Sequence, residues 1–241
     1  MIHLITYGDN KFEHTKKRLY REAYNTGWFD TITLYGPKDL DEDFKFKFKH
    51  ILEQPRGGGY WIWKSHIINK KLNEIADGDI LIYLDAGCTI NSSGKNRFDE
   101  YIELLNLSNE ACLSFQLKFI EKNWTSTEIF NYFNMDINSK IANTGQIHST
   151  VLIMKNNKKL LNLMDIYNKV LHDKPLLFTD HYNKIQKPFF IENRHDQSIF
   201  SVIRKIYNPI HPLLLKDETW FEPFKSKESL KYPFWATRLR Y

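Results

Sequence analysis

The chain has 241 residues, 42% of them apolar and 26% charged, the proportions of an ordinary globular protein. Its 15% aromatic content excludes a disordered chain, and its net charge of +5, spread along the sequence, falls short of a nucleic-acid-binding signature while suiting a phosphorylated ligand. Two cysteines, Cys88 and Cys112, exclude a disulfide framework or a thiolate metal site, and no apolar run approaches the ~18 residues that cross a bilayer. A cytoplasmic protein with no transmembrane segment is expected, peripheral membrane contact staying open.

Ile2 to Tyr7 is an apolar, β-rich run stopped by Gly8-Asp9, and Glu13 to Tyr24 carries Leu19 and Ala23 at helical spacing before Gly27. Thr31 to Tyr35 is a second β-branched run closed by Gly36-Pro37, which predicts a strand-helix-strand unit with parallel neighbouring strands. After a charged stretch, Arg56-Gly57-Gly58-Gly59 predicts a glycine loop feeding a helix over Tyr60 to Ile75, where Trp61, Ser65, Ile68 and Leu72 keep helical spacing. Asp77-Gly78-Asp79 is a turn, and the unbroken apolar run Ile80 to Leu84 is the mark of a central strand buried on both faces. Further on, the pattern predicts helices around Phe98 to Leu105, Ser126 to Phe133, Lys158 to Leu171 and Asp196 to Tyr207, with strands at Ala111 to Gln116 and Thr150 to Met154. Pro209, Pro212, Pro223 and Pro233 punctuate an irregular aromatic tail. No linker or repeat interrupts the chain, so the expectation is one α/β domain over 1–241, with a mostly parallel central sheet flanked by helices.

Ligands of open α/β sheets bind beyond the carboxyl ends of the strands, which directs attention to Thr6-Tyr7-Gly8-Asp9, to Asp85-Ala86-Gly87-Cys88 and to the segment after Met154. A carboxylate ending a buried strand, as Asp85 does, suits a hard cation or a ribose hydroxyl; the plainer reading is a turn residue near Gly87. The run from Arg56 to Lys64 joins an unhindered backbone to two cations and three aromatics, a setting for phosphate and a stacked ring. It is neither a Walker A loop nor G-x-G-x-x-G, and Trp61 and Trp63 equally suit a core helix. In Glu192 to Ser198, Asp196 either caps the following helix or abstracts or orients a hydroxyl proton beside His195 and Gln197. His172, Asp180, His181 and His211 show no metal-ligand spacing; His211 is a late-ligand candidate or a loop histidine. No G-x-S-x-G elbow occurs, and neither cysteine has a local partner for thiol chemistry.

Taken together, Leu4-Ile5-Thr6-Tyr7-Gly8-Asp9, Arg56-Gly57-Gly58-Gly59-Tyr60-Trp61-Ile62-Trp63-Lys64, Gly78 to Cys88 and His195-Asp196-Gln197-Ser198 resemble nucleotide-sugar-dependent glycosyltransferases of the GT-A fold. The likeness is to small enzymes of bacterial capsule or surface-polysaccharide clusters and of large DNA viruses, and it spans most of the chain. It implies a Rossmann-related domain, with 1–90 as the nucleotide-binding half and 91–241 as the acceptor half and tail. It also implies that Thr6, Tyr7, Arg56, Trp63, Lys64, Asp85, Ala86 and Gly87 bind the donor, that His195 and Gln197 meet a glycan or other hydroxyl acceptor, and that Asp196 is catalytic. The family's divalent cation, Mn²⁺ or Mg²⁺, would bridge the donor diphosphate from Asp85. Gly87 stands where the family's second acidic residue falls, so the metal would be completed by another residue such as His211, held through water, or absent.

Two other classes stay in view. Gly87 motivates a non-catalytic sugar-nucleotide or glycan-binding relative, and the aromatics beside basic residues at Tyr60 to Lys64 motivate a nucleic-acid binder. Dispersed basic residues and the lack of a nucleic-acid motif argue against the second, so no nucleic-acid partner is expected.

Overall fold

The computed structural model describes residues 1–207 and 213–240; His211, the late metal-ligand candidate, lies outside the described residues. The strands are β1 (Ile2–Tyr7), β2 (Thr31–Tyr35), β3 (Ile80–Leu84), β4 (Thr89–Ile90), β5 (Cys112–Ile120), β6 (Gly145–Ile147), β7 (Val151–Lys155), β8 (Leu214–Lys216) and β9 (Phe234–Trp235). Seven of them form one sheet in the order β2-β1-β3-β7-β5-β6, with β8 beside β5. As expected, β1 lies parallel between β2 and β3. From β7 onward the partners run antiparallel, apart from the parallel pair β5 and β8. The sheet therefore carries a parallel part built by the first 84 residues and a largely antiparallel part built by the rest.

Alternation along the strands sorts side chains to two cores. Ile5, Tyr7, Leu81 and Tyr83 face one cluster, together with Ile67 and Ile68, Leu160 and Leu163, and Ile199 and Val202 from the helices Trp63–Leu72, Lys158–Asp173 and Asp196–Tyr207. Leu4, Ile80, Ile82 and Leu84 face the other, with Leu19 and Ala23 of helix Glu13–Thr26 and Phe98 and Leu105 of helix Lys95–Leu107. Each such aliphatic side chain, fully buried, contributes about 1.5–3 kcal/mol. Gly27 ends the first helix in a left-handed conformation, and the Asn157 side chain caps Leu160 N at the start of Lys158–Asp173.

The helix expected from Tyr60 begins instead at Trp63. All five residues from Gly57 to Trp61 have positive φ (59°, 56°, 94°, 53° and 58°), so the backbone makes a left-handed turn that a right-handed helix cannot continue. Gly59 is required there: a Cβ would stand 2.7 Å from Leu52 Cα. The tail is less irregular than its prolines suggest, because β9 pairs antiparallel with β4 and buries Phe234 and Trp235. No helix of the described residues is long and apolar enough to cross a membrane.

Candidate active site

Because the chain passes from β1 to β2 on one side and later to β3 on the other, the carboxyl ends of β1 and β3 form a topological switch point, the place where sheets of this kind take a ligand in a crevice. Thr6 and Tyr7 end β1 at that place, and Asp85, Ala86 and Gly87 follow β3. Thr6 is buried and its hydroxyl has no partner among the described residues. Tyr7 stacks on Trp63 with ring centroids 3.8 Å apart and planes 17° apart, and Trp63 Nε1 donates to Gly57 O at 3.0 Å. Arg18 and Glu22 of the first helix clamp the Asp85 loop: the Arg18 guanidinium donates to Ala86 O (3.1 Å) and Cys88 O (2.6 Å), and Glu22 accepts from Ile90 N (2.9 Å).

At the centre stands Lys64. Its ammonium donates to Asp196 Oδ2 at 2.6 Å and to Ser149 O at 3.0 Å, lies 3.4 Å from Asp85 Oδ1, and sits 4.8 Å from the centre of the Tyr83 ring. Burial disfavours the charge on Lys64, but the carboxylates of Asp196 and Asp85 outweigh it and hold the amine protonated, above its usual range. The Asp196 side chain is 7% exposed and that of Asp85 is 30% exposed, so the ion pair is interior and Asp85 is its opening to solvent. Tyr83 Oη donates to Asp85 Oδ1 at 2.5 Å, and Asp85 N is bonded to Thr150 O, which fixes the carboxylate. A cavity of about 10 Å³ lined by Lys64, Ser149, Asp196 and Tyr167 is too small for a sugar, and of the two carboxylates only Asp85 is open to solvent. A groove of about 470 Å³ lined by Ala111, Lys159 and Tyr207 lies toward the other end of the sheet and holds none of the candidate residues.

Two expected donor or acceptor residues form a second cluster. His195, 3% exposed with φ 56°, packs between Tyr60 and Trp61 of the left-handed turn, with ring centroids 5.1 and 5.3 Å away. Burial lowers its pKa to about 4, and the neutral ring donates Nε2–H to Asp180 Oδ1 at 3.0 Å. Arg56 is bound up with Asp180 (3.0 Å) and Glu192 (3.2 Å) rather than joined to the Lys64 cluster. Gln197 is also interior. It accepts from Ser149 N (3.2 Å) and donates to Gln146 Oε1 (2.6 Å), and Gln146 in turn donates to Glu121, the buried partner of Lys205 at 2.7 Å.

Several participants had no mark in the sequence. Ser149 and Asp180 are placed by long-range folding, whereas Tyr83 was legible, since a residue two before Asp85 in a chain still extended at the strand's end lies on the same side. His148, beside Ser149, is buried and bonded to Thr219 Oγ1 at 3.2 Å. Burial, then the charges of Lys64, Arg238 and Arg194, pull its pKa down to about 3.

Gly87 has a steric reason to be glycine. Leu239 N and Thr237 Oγ1 donate to its carbonyl at 3.0 and 2.9 Å, and a Cβ would stand 3.0 Å from Leu239 O and 3.2 Å from Arg238 Cα. A second acidic side chain at this position would require the 238–239 backbone to give by a few tenths of an ångström. Among the described residues no group of three His, Cys, Asp or Glu is set to hold a metal. Among the described residues the donor set around Asp85 does not fit a divalent cation: it offers one carboxylate at the opening to solvent, already hydrogen-bonded to Tyr83 and facing an ammonium.

No protein-family model matches the sequence, and no curated protein is matched by it. Solved structures with a similar course of chain are found. A glycosyltransferase involved in the glycosylation of the major capsid of PBCV-1 is 14% identical, with 97% of this chain and 91% of that chain covered and a TM-score of 0.49. The galactosyltransferase LgtC is 12% identical, with coverage of 95% and 83% and a TM-score of 0.46. Mouse xyloside xylosyltransferase 1 is 11% identical, with coverage of 91% and 86% and a TM-score of 0.45.

Proposed function

We propose that this protein is a nucleotide-sugar-dependent glycosyltransferase of the GT-A type, moving a sugar from a nucleoside-diphosphate donor to a hydroxyl of a glycan or other acceptor. The observation that carries the reading is the clamped Lys64 ammonium beside the partly open Asp85, in the crevice between β1 and β3. Such a crevice is where α/β sheets take nucleotides. Thr6, Tyr7 and Trp63 border it and would hold the nucleoside, with Asp85 toward the ribose or the sugar.

In the reaction the acceptor oxygen bonds to the anomeric carbon, and the bond from that carbon to the phosphate oxygen breaks with its electron pair left on the diphosphate. The products are the glycoside, the nucleoside diphosphate and one proton released to water. Negative charge grows on the departing oxygen, and a cation fixed beforehand in a poorly solvated site stabilises it without reorganising. Asp196 serves this step by holding Lys64 in place. From the motif resemblance we infer a setting in cytoplasmic synthesis of surface polysaccharide or another glycan.

The test is release of nucleoside diphosphate from a panel of nucleotide sugars and hydroxyl acceptors. Asp85→Asn should lower turnover by about 100-fold or more while leaving the fold intact by circular dichroism. Full activity in that variant would sink the role given to Asp85. A second reading, a binding relative without turnover, is favoured by the tail that closes Gly87; it predicts calorimetric binding of a nucleotide sugar with no diphosphate released on any acceptor.

A further inference from the structure

We propose that the diphosphate is received by protein cations, Lys64 together with Arg194 and Arg238, and that this site binds and turns over its donor without a divalent metal. The inference rests on the transferase reading above and names how that site handles charge.

Three observations converge. The place of a second motif carboxylate is taken by Gly87, whose Cβ position is crowded by the backbone of residues 238 and 239 in a segment held to Gly87 by two hydrogen bonds. A metal at a ligand distance of about 2.0–2.6 Å from Asp85 would also share that carboxylate with an immobile ammonium 3.4 Å from its Oδ1, two positive charges competing for one anion. Finally, positive charge reaches the site from two further elements. Arg238 lies on the tail segment over Gly87, its guanidinium 5.3 Å from the centre of the Trp220 ring, and among the described residues it pairs with no carboxylate. Arg194 enters from the segment before the last helix, stacked 4.1 Å from the Trp124 ring centre with its Nε 3.2 Å from Glu192. Arg194 lies two residues before Asp196, the partner of Lys64, and buried His148 feels the charges of Lys64, Arg238 and Arg194 together. Guanidinium groups bind phosphate oxygens in a fork, so the set replaces a metal in kind.

The experiment titrates the full chain with ADP, UDP, GDP and TDP by calorimetry, in EDTA and again with Mg²⁺ or Mn²⁺, and follows Mn²⁺ uptake by electron paramagnetic resonance with and without the diphosphate. One diphosphate should bind with affinities in EDTA and in metal that agree within about twofold, and no protein-bound Mn²⁺ signal should appear. Arg238→Gln, at an exposed position, should weaken the diphosphate about five- to tenfold and leave the parent nucleoside unaffected. Lys64→Met should lose more, provided its circular dichroism matches the parent; Arg238→Gln carries the test if it does not. Binding that collapses in EDTA and returns with Mn²⁺ overturns this inference alone. Nucleoside and diphosphate weakened equally by Arg238→Gln overturns the role of that arginine. No diphosphate binding under any condition overturns the transferase reading as well.

Discussion

Removing one partner of a buried ion pair strands the other in a medium that solvates it poorly, and Lys64 and Asp196 are both buried. Asp196→Ala should destabilise the fold by about 3–5 kcal/mol, read as a shift in the denaturant midpoint at constant slope. The double change Lys64→Met with Asp196→Leu should recover most of that loss, because it leaves no orphan charge. A loss below about 1 kcal/mol for Asp196→Ala would mean that water reaches the pair and that Lys64 is not fixed as argued. The sequence carried both residues as candidates, but not their union. Residues 64 and 196 lie on different helices, and only the packing of those helices on one face of the sheet brings them together. Ser149, which bonds the same carboxylate, sits in a stretch with no periodicity and no charge to mark it.

At the scale of elements, the left-handed turn from Gly57 to Trp61 sets where helix Trp63–Leu72 begins and hence where Lys64 points. Gly59→Ala meets two penalties at once, a φ of 94° that alanine tolerates poorly and a Cβ 2.7 Å from Leu52 Cα. We expect a loss of about 1–3 kcal/mol and a lowered melting temperature, with Gly27→Ala, where open space surrounds the added carbon, losing less. Equal losses would show that the backbone conformation alone matters and that the turn is free to shift from Leu52. The glycine triplet announced a turn, yet the spacing of Trp61 and Ser65 read as helix through it, because hydrophobic period does not register handedness. Strands β1, β3 and β7 were legible as apolar runs. The pieces β4, β6, β8 and β9 were not, being two or three residues long and set by their partners.

For the whole molecule, acid should act first through two interior histidines. Burial above all holds His195 at about 4 and His148 at about 3, against 6.5 for an exposed ring. The unfolded chain therefore takes up protons near pH 6.5 that the folded chain refuses, so this part of the stability is complete above that value and declines as the pH falls toward 4. Melting temperatures measured from about pH 7 to about pH 4.5 should fall steadily, and His148→Gln should flatten the decline. A parent profile without slope in that window would mean that both rings open to water. The α/β class and the placing of the crevice were readable because three of the strands that define it are local runs. The charge balance around His148 was not, because Lys64, Arg194 and Arg238 come from three distant parts of the chain.

The pairing of β4 with β9 ties the loop after Asp85 to a segment made about 145 residues later, some three-fifths of the 241 residues away. A chain elongated only as far as residue 207 contains Lys64, Asp85 and Asp196, but neither the residues that lie against Gly87 nor Arg238. The residues of the charged centre are thus all made before those of its cover, and elongation passes through a stage in which Lys64, Asp85 and Asp196 are present and Arg238 is not.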